Sequence, residues 1–174
     1  MNRRTNNVLG DAPIFLVGFM GAGKTTVGRE LARLLGYDFI DLDELIAARI
    51  GKSVQEIFAE LGEAEFRRLE SEAIQSCSDM VRTVVALGGG AYVRDDNRRV
   101  VRAIGKTVWL DCPLETCLER IGGDKSRPLL GDVDQMRALL AQRRESYAEA
   151  DYAIGSGELT PEELVLMIVS LLKR

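Results

Sequence analysis

An α/β domain, a parallel sheet with helices on both faces, is the fold class this chain predicts, and three observations predict it. Five short apolar runs recur along the 174 residues, helical patterns separate most of them, and a glycine-rich segment joins the first run to the first helix. Strands covered on both faces read as continuous apolar runs, and parallel neighbours need long, usually helical, crossovers.

The first strand is Ile14-Phe15-Leu16-Val17, and the segment after it sets Val27, Leu31, Leu34 and Leu35 on one helical stripe from near Thr25 onward. A second apolar run covers 37–41 and feeds a helical stretch over Leu42–Ile50. Ser53 followed by Glu56 has the spacing of a capping box, so another helix opens there. Strands follow over 83–87 and 107–110, then helical segments over 113–121 and 133–149, then a weaker strand over 151–154. Thr160 and Glu163 form a second capping box, with Pro161 at the first helical position. The last helix places Leu164, Val165, Ile168, Leu171 and Leu172 on one face. Ligands of such sheets sit beyond the carboxyl ends of the strands, so the chemistry is expected there.

Composition excludes several classes of function. The length suits one compact domain, expected over 13–174 behind a flexible tail over 1–12. That tail carries Arg3 and Arg4 but no apolar segment of a secretory signal, and no apolar run approaches the ~20 residues of a membrane span. A net charge of −4 argues against a nucleic-acid footprint, although Arg98-Arg99 and Arg143-Arg144 can meet small anions. Cys77, Cys112 and Cys117 are odd in number and lack C-x-x-C spacing, so they read as reduced core thiols of a cytoplasmic protein. The chain has no histidine, which removes Ser-His-Asp and Cys-His catalysis and histidine-ligated zinc together.

Residues 18–26 read Gly-Phe-Met-Gly-Ala-Gly-Lys-Thr-Thr, the pattern G-x-x-x-x-G-K-[ST] set between a strand and a helix. Glycines let backbone N–H groups turn inward around phosphate oxygens, and the helix start adds unpaired N–H groups and a positive dipole end. Gly21, Ala22, Gly23, Lys24, Thr25 and Thr26 are therefore the nucleotide-phosphate site, with Lys24 aimed at the β- and γ-phosphates and the Thr25 hydroxyl at Mg²⁺. Asp41 and Asp43, at i and i+2 beyond the second strand, suit a metal's water shell and a proton acceptor; Asp also favours a helix start, and both uses can hold at once.

Other segments leave two readings open. Gly62-Glu63-Ala64-Glu65-Phe66-Arg67-Arg68-Leu69-Glu70 is a charged helix start, with Glu63 and Arg67 paired at i, i+4 on an exposed face. Gly88-Gly89-Gly90 after the third strand is a flexible turn or a place where backbone approaches a ligand. The polar loop over 122–132 is a lid with Arg127 at its centre or a solvated connector.

Taken together, these segments resemble the shikimate kinase family of small P-loop kinases. The likeness runs from about Pro13 to Pro161 and rests on the phosphate loop, Asp41-x-Asp43, Gly-Glu-x-x-Phe-Arg-Arg-x-Glu, the glycine triplet, Arg127-Pro128-Leu129-Leu130 and Arg143 in Arg-Ala-Leu-Leu-Ala-Gln-Arg. The resemblance implies a three-layer P-loop kinase fold with a five-stranded parallel sheet and a lid. It implies a monomer that phosphorylates shikimate to shikimate 3-phosphate with Mg²⁺ and ATP.

Carried over residue by residue, it gives Lys24, Asp43 and Arg127 catalytic roles, with Asp43 on the acceptor hydroxyl and Arg127 closing over the phosphates. Thr25 ligates Mg²⁺ with Asp41 behind its waters. Arg67, Gly89 and Arg143 bind substrate, Arg67 and Arg143 through its carboxylate, and Glu70 steadies Arg67. Phe58 and Phe66 form an apolar wall, and Arg120 lies near adenine. The adenine-contact region, 154–161, offers few landmarks. Two alternatives remain on sequence alone: a kinase for another small hydroxy acid such as gluconate, and a nucleotide-binding module without turnover.

Overall fold

The computed structural model describes residues 10–122 and 133–173. The expected tail over 1–12 lies mostly outside these residues, and the expected lid and Arg127 likewise fall outside them. In chain order the elements are β1 (Ile14–Val17), α1 (Lys24–Leu35), β2 (Asp38–Asp41), α2 (Leu42–Ile50), α3 (Val54–Gln75), β3 (Thr83–Ala86), α4 (Asp95–Ile104), β4 (Lys106–Asp111), α5 (Leu114–Gly122), α6 (Val133–Tyr147), β5 (Tyr152–Gly155) and α7 (Pro161–Leu172). Short 3₁₀ turns cover Ser76–Asp79 and Ala91–Val93.

All strand pairs are parallel, in the order β2-β3-β1-β4-β5, with Phe15 level with Val85 on one side and Thr107 on the other. Successive strand residues point to opposite faces, so the complete burial of both Phe15 and Leu16 means that both faces of the central strand are covered. The edge strands β2 and β5 are less buried. Among the described residues, no helix is long and apolar enough to cross a membrane.

Both capping boxes form. Ser53 and Glu56 exchange bonds at the start of α3, and Thr160 and Glu163 do so at α7, with Pro161 opening the helix. The expected helix start at Gly62 is also visible: α3 is interrupted there by a residue at φ 81°, ψ 170°. Two helical pieces therefore meet there at a kink, within one helical run from Val54 to Gln75.

The differences from expectation lie at element ends. Tyr37 is outside β2 because its N–H closes the end of α1 on the Ala32 carbonyl. Asp151 precedes β5, and its N–H and carboxylate are spent on the Thr107 hydroxyl and backbone. The helix expected over 133–149 stops at Tyr147, where the Glu149 N–H tightens onto Ser146. β4 instead gains a residue at each end, Lys106 and Asp111, through pairing with β1 and β5.

Candidate active site

The motif-bearing segments leave the carboxyl ends of neighbouring strands: the glycine loop from β1, the glycine triplet from β3, and Asp41 and Asp43 from β2. They border a cleft of about 320 Å³ lined by Lys24, Thr25, Thr26, Asp41, Asp43, Gly88, Gly89 and Arg120, among others.

The glycine loop is shaped by backbone. Gly18, Gly21 and Gly23 have φ of 144°, 78° and 94°, values that favour glycine. A Cβ on Gly21 would lie 2.6 Å from the Cys117 carbonyl oxygen, so the loop packs on α5 with no room for a side chain. Ala22 is fully buried within it. Gly23 caps α1 without a side-chain bond, and the start of the helix, Lys24 to Thr26, borders the cleft. Lys24 Nζ lies across the loop and donates to the Gly18 and Phe19 carbonyls, each at 2.9 Å.

The Thr25 hydroxyl donates to Asp41 Oδ2 at 2.7 Å, although β2 and β1 are separated by β3. The link is made through α1, which crosses close to β2: a Cβ on Gly28 would sit 2.5 Å from the Phe39 ring. Asp41 Oδ1 meanwhile accepts from the Asp43 and Glu44 N–H groups and caps α2. The capping reading therefore holds at Asp41, whose other oxygen stays on the Thr25 hydroxyl. Asp43, in the first turn of α2, borders the cleft beside Gly88.

Hard oxygen donors at Thr25 and Asp41 fit Mg²⁺. Among the described residues no cluster of three or more His, Cys, Asp or Glu is placed to hold a metal.

The glycine triplet is enclosed by charged side chains. A Cβ on Gly88 would meet Asp43 Oδ1 at 2.7 Å and Glu70 Oε1 at 2.8 Å; one on Gly90 would meet the Arg67 guanidinium at 2.5 Å; one on Gly89 would lie 3.3 Å from an Arg143 nitrogen. The triplet is therefore a close approach of backbone to two carboxylates and two guanidinium groups, and the flexible-turn reading gives way.

Arg67 is held by Glu70 at 2.6 Å and Glu63 at 3.1 Å and faces the Phe58 and Phe66 rings, which pack 4.4 Å apart. The bland i, i+4 pair exists, but its arginine is only 20% exposed and tied to a buried carboxylate. Burial pushes the Glu70 carboxyl above its ordinary value; Arg67 pulls the other way, and the charge of Asp43 adds to the rise. Arg143 lies over the Phe19 ring at 5.8 Å.

Arg120 reaches the Ala22 carbonyl at 3.4 Å and the Ser156 carbonyl at 3.3 Å, joining the glycine loop to the segment after β5. Tyr147 escaped the sequence reading. It is fully buried, and its hydroxyl donates to the Gly89 carbonyl at 2.5 Å. The signal available was its position four residues after Arg143, on the same helical face. The three cysteines are buried free thiols, as their spacing suggests.

A phosphate loop at the central strand of a parallel sheet, with a lysine laid across it and a hydroxyl–carboxylate pair behind, places the molecule among the P-loop nucleoside-triphosphate-dependent phosphotransferases. The family model described as shikimate kinase matches residues 20–173. The shikimate kinase of Geobacter sulfurreducens is 44% identical over 163 residues, covering 92% of this chain and 90% of that protein. A solved structure of shikimate kinase from Acinetobacter baumannii in complex with shikimate is 39% identical, with a TM-score of 0.88 and 92% of each chain covered. The chain belongs to the shikimate kinase family. A gluconokinase from Sinorhizobium meliloti, 16% identical with a TM-score of 0.61 over 93% of this chain and 91% of its own, shares the fold alone.

Proposed function

We propose that this chain carries out its family's reaction, ATP-dependent phosphorylation of shikimate to shikimate 3-phosphate, with the residues around the glycine triplet holding the acceptor. The observation that carries the reading is that triplet: its backbone touches the carboxylate of Asp43 and the guanidinium groups of Arg67 and Arg143, while the same cleft is walled by the phosphate loop.

Phosphoryl transfer through a loose transition state needs alignment and charge neutralisation more than covalent chemistry. The loop amides and Lys24 hold the ATP phosphates; Lys24 exchanges its loop carbonyls for phosphate oxygens when nucleotide enters. Thr25, with Asp41 behind it, would hold Mg²⁺, which supplies charge neutralisation at the β- and γ-phosphates. Asp43 aligns the acceptor hydroxyl and accepts its proton. Arg67 and Arg143 grip the shikimate carboxylate as guanidinium forks, with Glu70 keeping Arg67 in place. Phe58 and Phe66 form an apolar wall, Gly89 offers backbone to the substrate, and Arg120 stands on the adenine side. Arg127, outside the described residues, closes over the phosphates as the family implies.

The reading treats 13–174 as one catalytic domain with a lid near 122–132, preceded by a tail over 1–12. It describes a cytoplasmic monomer acting on two small molecules, with no nucleic acid or membrane partner. ADP release with Mg-ATP, compared for shikimate, quinate, gluconate and no acceptor, tests it. Shikimate-dependent turnover well above the others is expected; equal or greater turnover with gluconate overturns the substrate assignment.

A further inference from the structure

The carbonyl groups of the glycine triplet are each held by a donor. Gly88 accepts from the Ala91 N–H at 3.0 Å and Gly90 from the Val93 N–H at 3.3 Å, both within the local 3₁₀ turn. The middle carbonyl, Gly89, is held from outside the segment, by the Tyr147 hydroxyl at 2.5 Å. A peptide is planar, with N–H opposite C=O, so a donor on the Gly89 carbonyl also sets the direction of the Gly90 N–H. That peptide joins the glycine lying against Arg143 to the glycine lying against Arg67. Arg143 is also near the Tyr147 hydroxyl, since its positive charge acts on that phenol, and it lies 3.3 Å from where a Cβ on Gly89 would stand.

Tyr147 is placed to do this with little freedom. It ends α6, one turn after Arg143, has no exposed surface, and packs its ring against Trp109 with centroids 6.1 Å apart. Burial raises its phenol to about 12, so the hydroxyl remains a proton donor throughout the working range.

We infer that Tyr147 is a positioning residue for acceptor recognition: by holding the Gly89 carbonyl it fixes the peptide that lies between Arg143 and Arg67, and so the backbone against which the two guanidinium groups that grip the substrate carboxylate are set. This rests on the proposed acceptor site and adds to it a residue that touches neither substrate. Tyr147→Phe keeps the buried ring and its contact with Trp109 but removes the hydroxyl bond to Gly89.

The variant is compared with the parent by steady-state kinetics and by shikimate titration of Trp109 fluorescence, Trp109 being the one tryptophan of the chain. The expected result is a shikimate KM and Kd raised about ten-fold, the ratio one buried hydrogen bond accounts for, with the ATP KM within about two-fold. In an Arg143→Ala background the same change is expected to add little, because residues acting as one unit are not additive.

An unchanged shikimate KM in Tyr147→Phe, or ATP and shikimate KM values rising together, overturns the inference and leaves the acceptor site standing. Full additivity with Arg143→Ala also overturns it. Parent protein that binds ATP but shows no shikimate titration overturns the acceptor site, and the inference with it.

Discussion

The two walls of the cleft are built on different principles. On the nucleotide side, nine consecutive residues, 18–26, form the loop, and the contacts that shape it are mainly backbone: glycine dihedrals, a carbonyl pair under Lys24, and the open N-terminus of α1. On the proposed acceptor side, the groups come from α2, α3, the turn after β3, and α6, and long-range side-chain contacts hold them: Glu70 on Arg67, Arg143 over the Phe19 ring, Tyr147 on the Gly89 carbonyl. The first wall is a local folding product, set by residues within one loop and helix start. The second is an assembly whose geometry depends on packing between distant elements, and it is where the proposed recognition of the acceptor resides.

Variants can test this contrast. Lys24→Ala is expected to have the largest effect, lowering kcat by roughly two to three orders of magnitude through loss of one charge-stabilising donor, while thermal melting stays cooperative. Retained turnover would place the phosphate chemistry elsewhere. Arg143→Ala comes next: shikimate KM is expected to rise by roughly 10- to 100-fold, the range of one charge-assisted hydrogen bond, with ATP KM nearly unchanged. Equal shifts in both constants would mean that the two walls are not separable.

Glu70→Gln probes the buried carboxylate. The folded-state pKa of Glu70 is raised above 4.5, chiefly by burial. Its contribution to stability is therefore full below about pH 4.5 and is lost as pH rises through the folded value. Gln does not titrate, so the melting temperature of the variant relative to the parent should increase as pH is raised from 4.5 towards neutrality. A flat or falling difference would show that Arg67 outweighs the burial.

Arg68→Ala is expected to have the smallest effect. Arg68 neighbours Arg67 in sequence but is 53% exposed, and among the described residues it pairs with Glu65 and Glu72 on the surface. Solvent-exposed pairs contribute little, so neither shikimate KM nor melting temperature should move measurably. A rise in KM would extend the acceptor wall to the outer face of α3.

The pattern of success and failure in reading the sequence follows the same division. The glycine loop, both capping boxes and the interruption at Gly62 were legible because each depends on residues within a few positions of one another. Element ends were less legible, because side chains and backbone from elsewhere decide them: the Thr107 hydroxyl occupies Asp151, and Ala32 captures the Tyr37 N–H. Arg67 and Arg68 are indistinguishable by local pattern, and the family motif separated them where spacing did not. Tyr147 had no local signal beyond its distance from Arg143.

Alternating apolar runs and helical stripes dictated a parallel α/β sheet, and the spacing of glycines, lysine and threonine dictated a phosphate site. Both follow from forces acting over a single turn or strand. The tertiary structure alone decided that β3 lies between β1 and β2, that α1 nevertheless carries Thr25 onto Asp41, and that Tyr147 braces the glycine triplet. Those contacts join residues 16 and 58 positions apart in the chain. They form only once burial of the apolar strands has packed the helices over the sheet, so no local pattern encodes them.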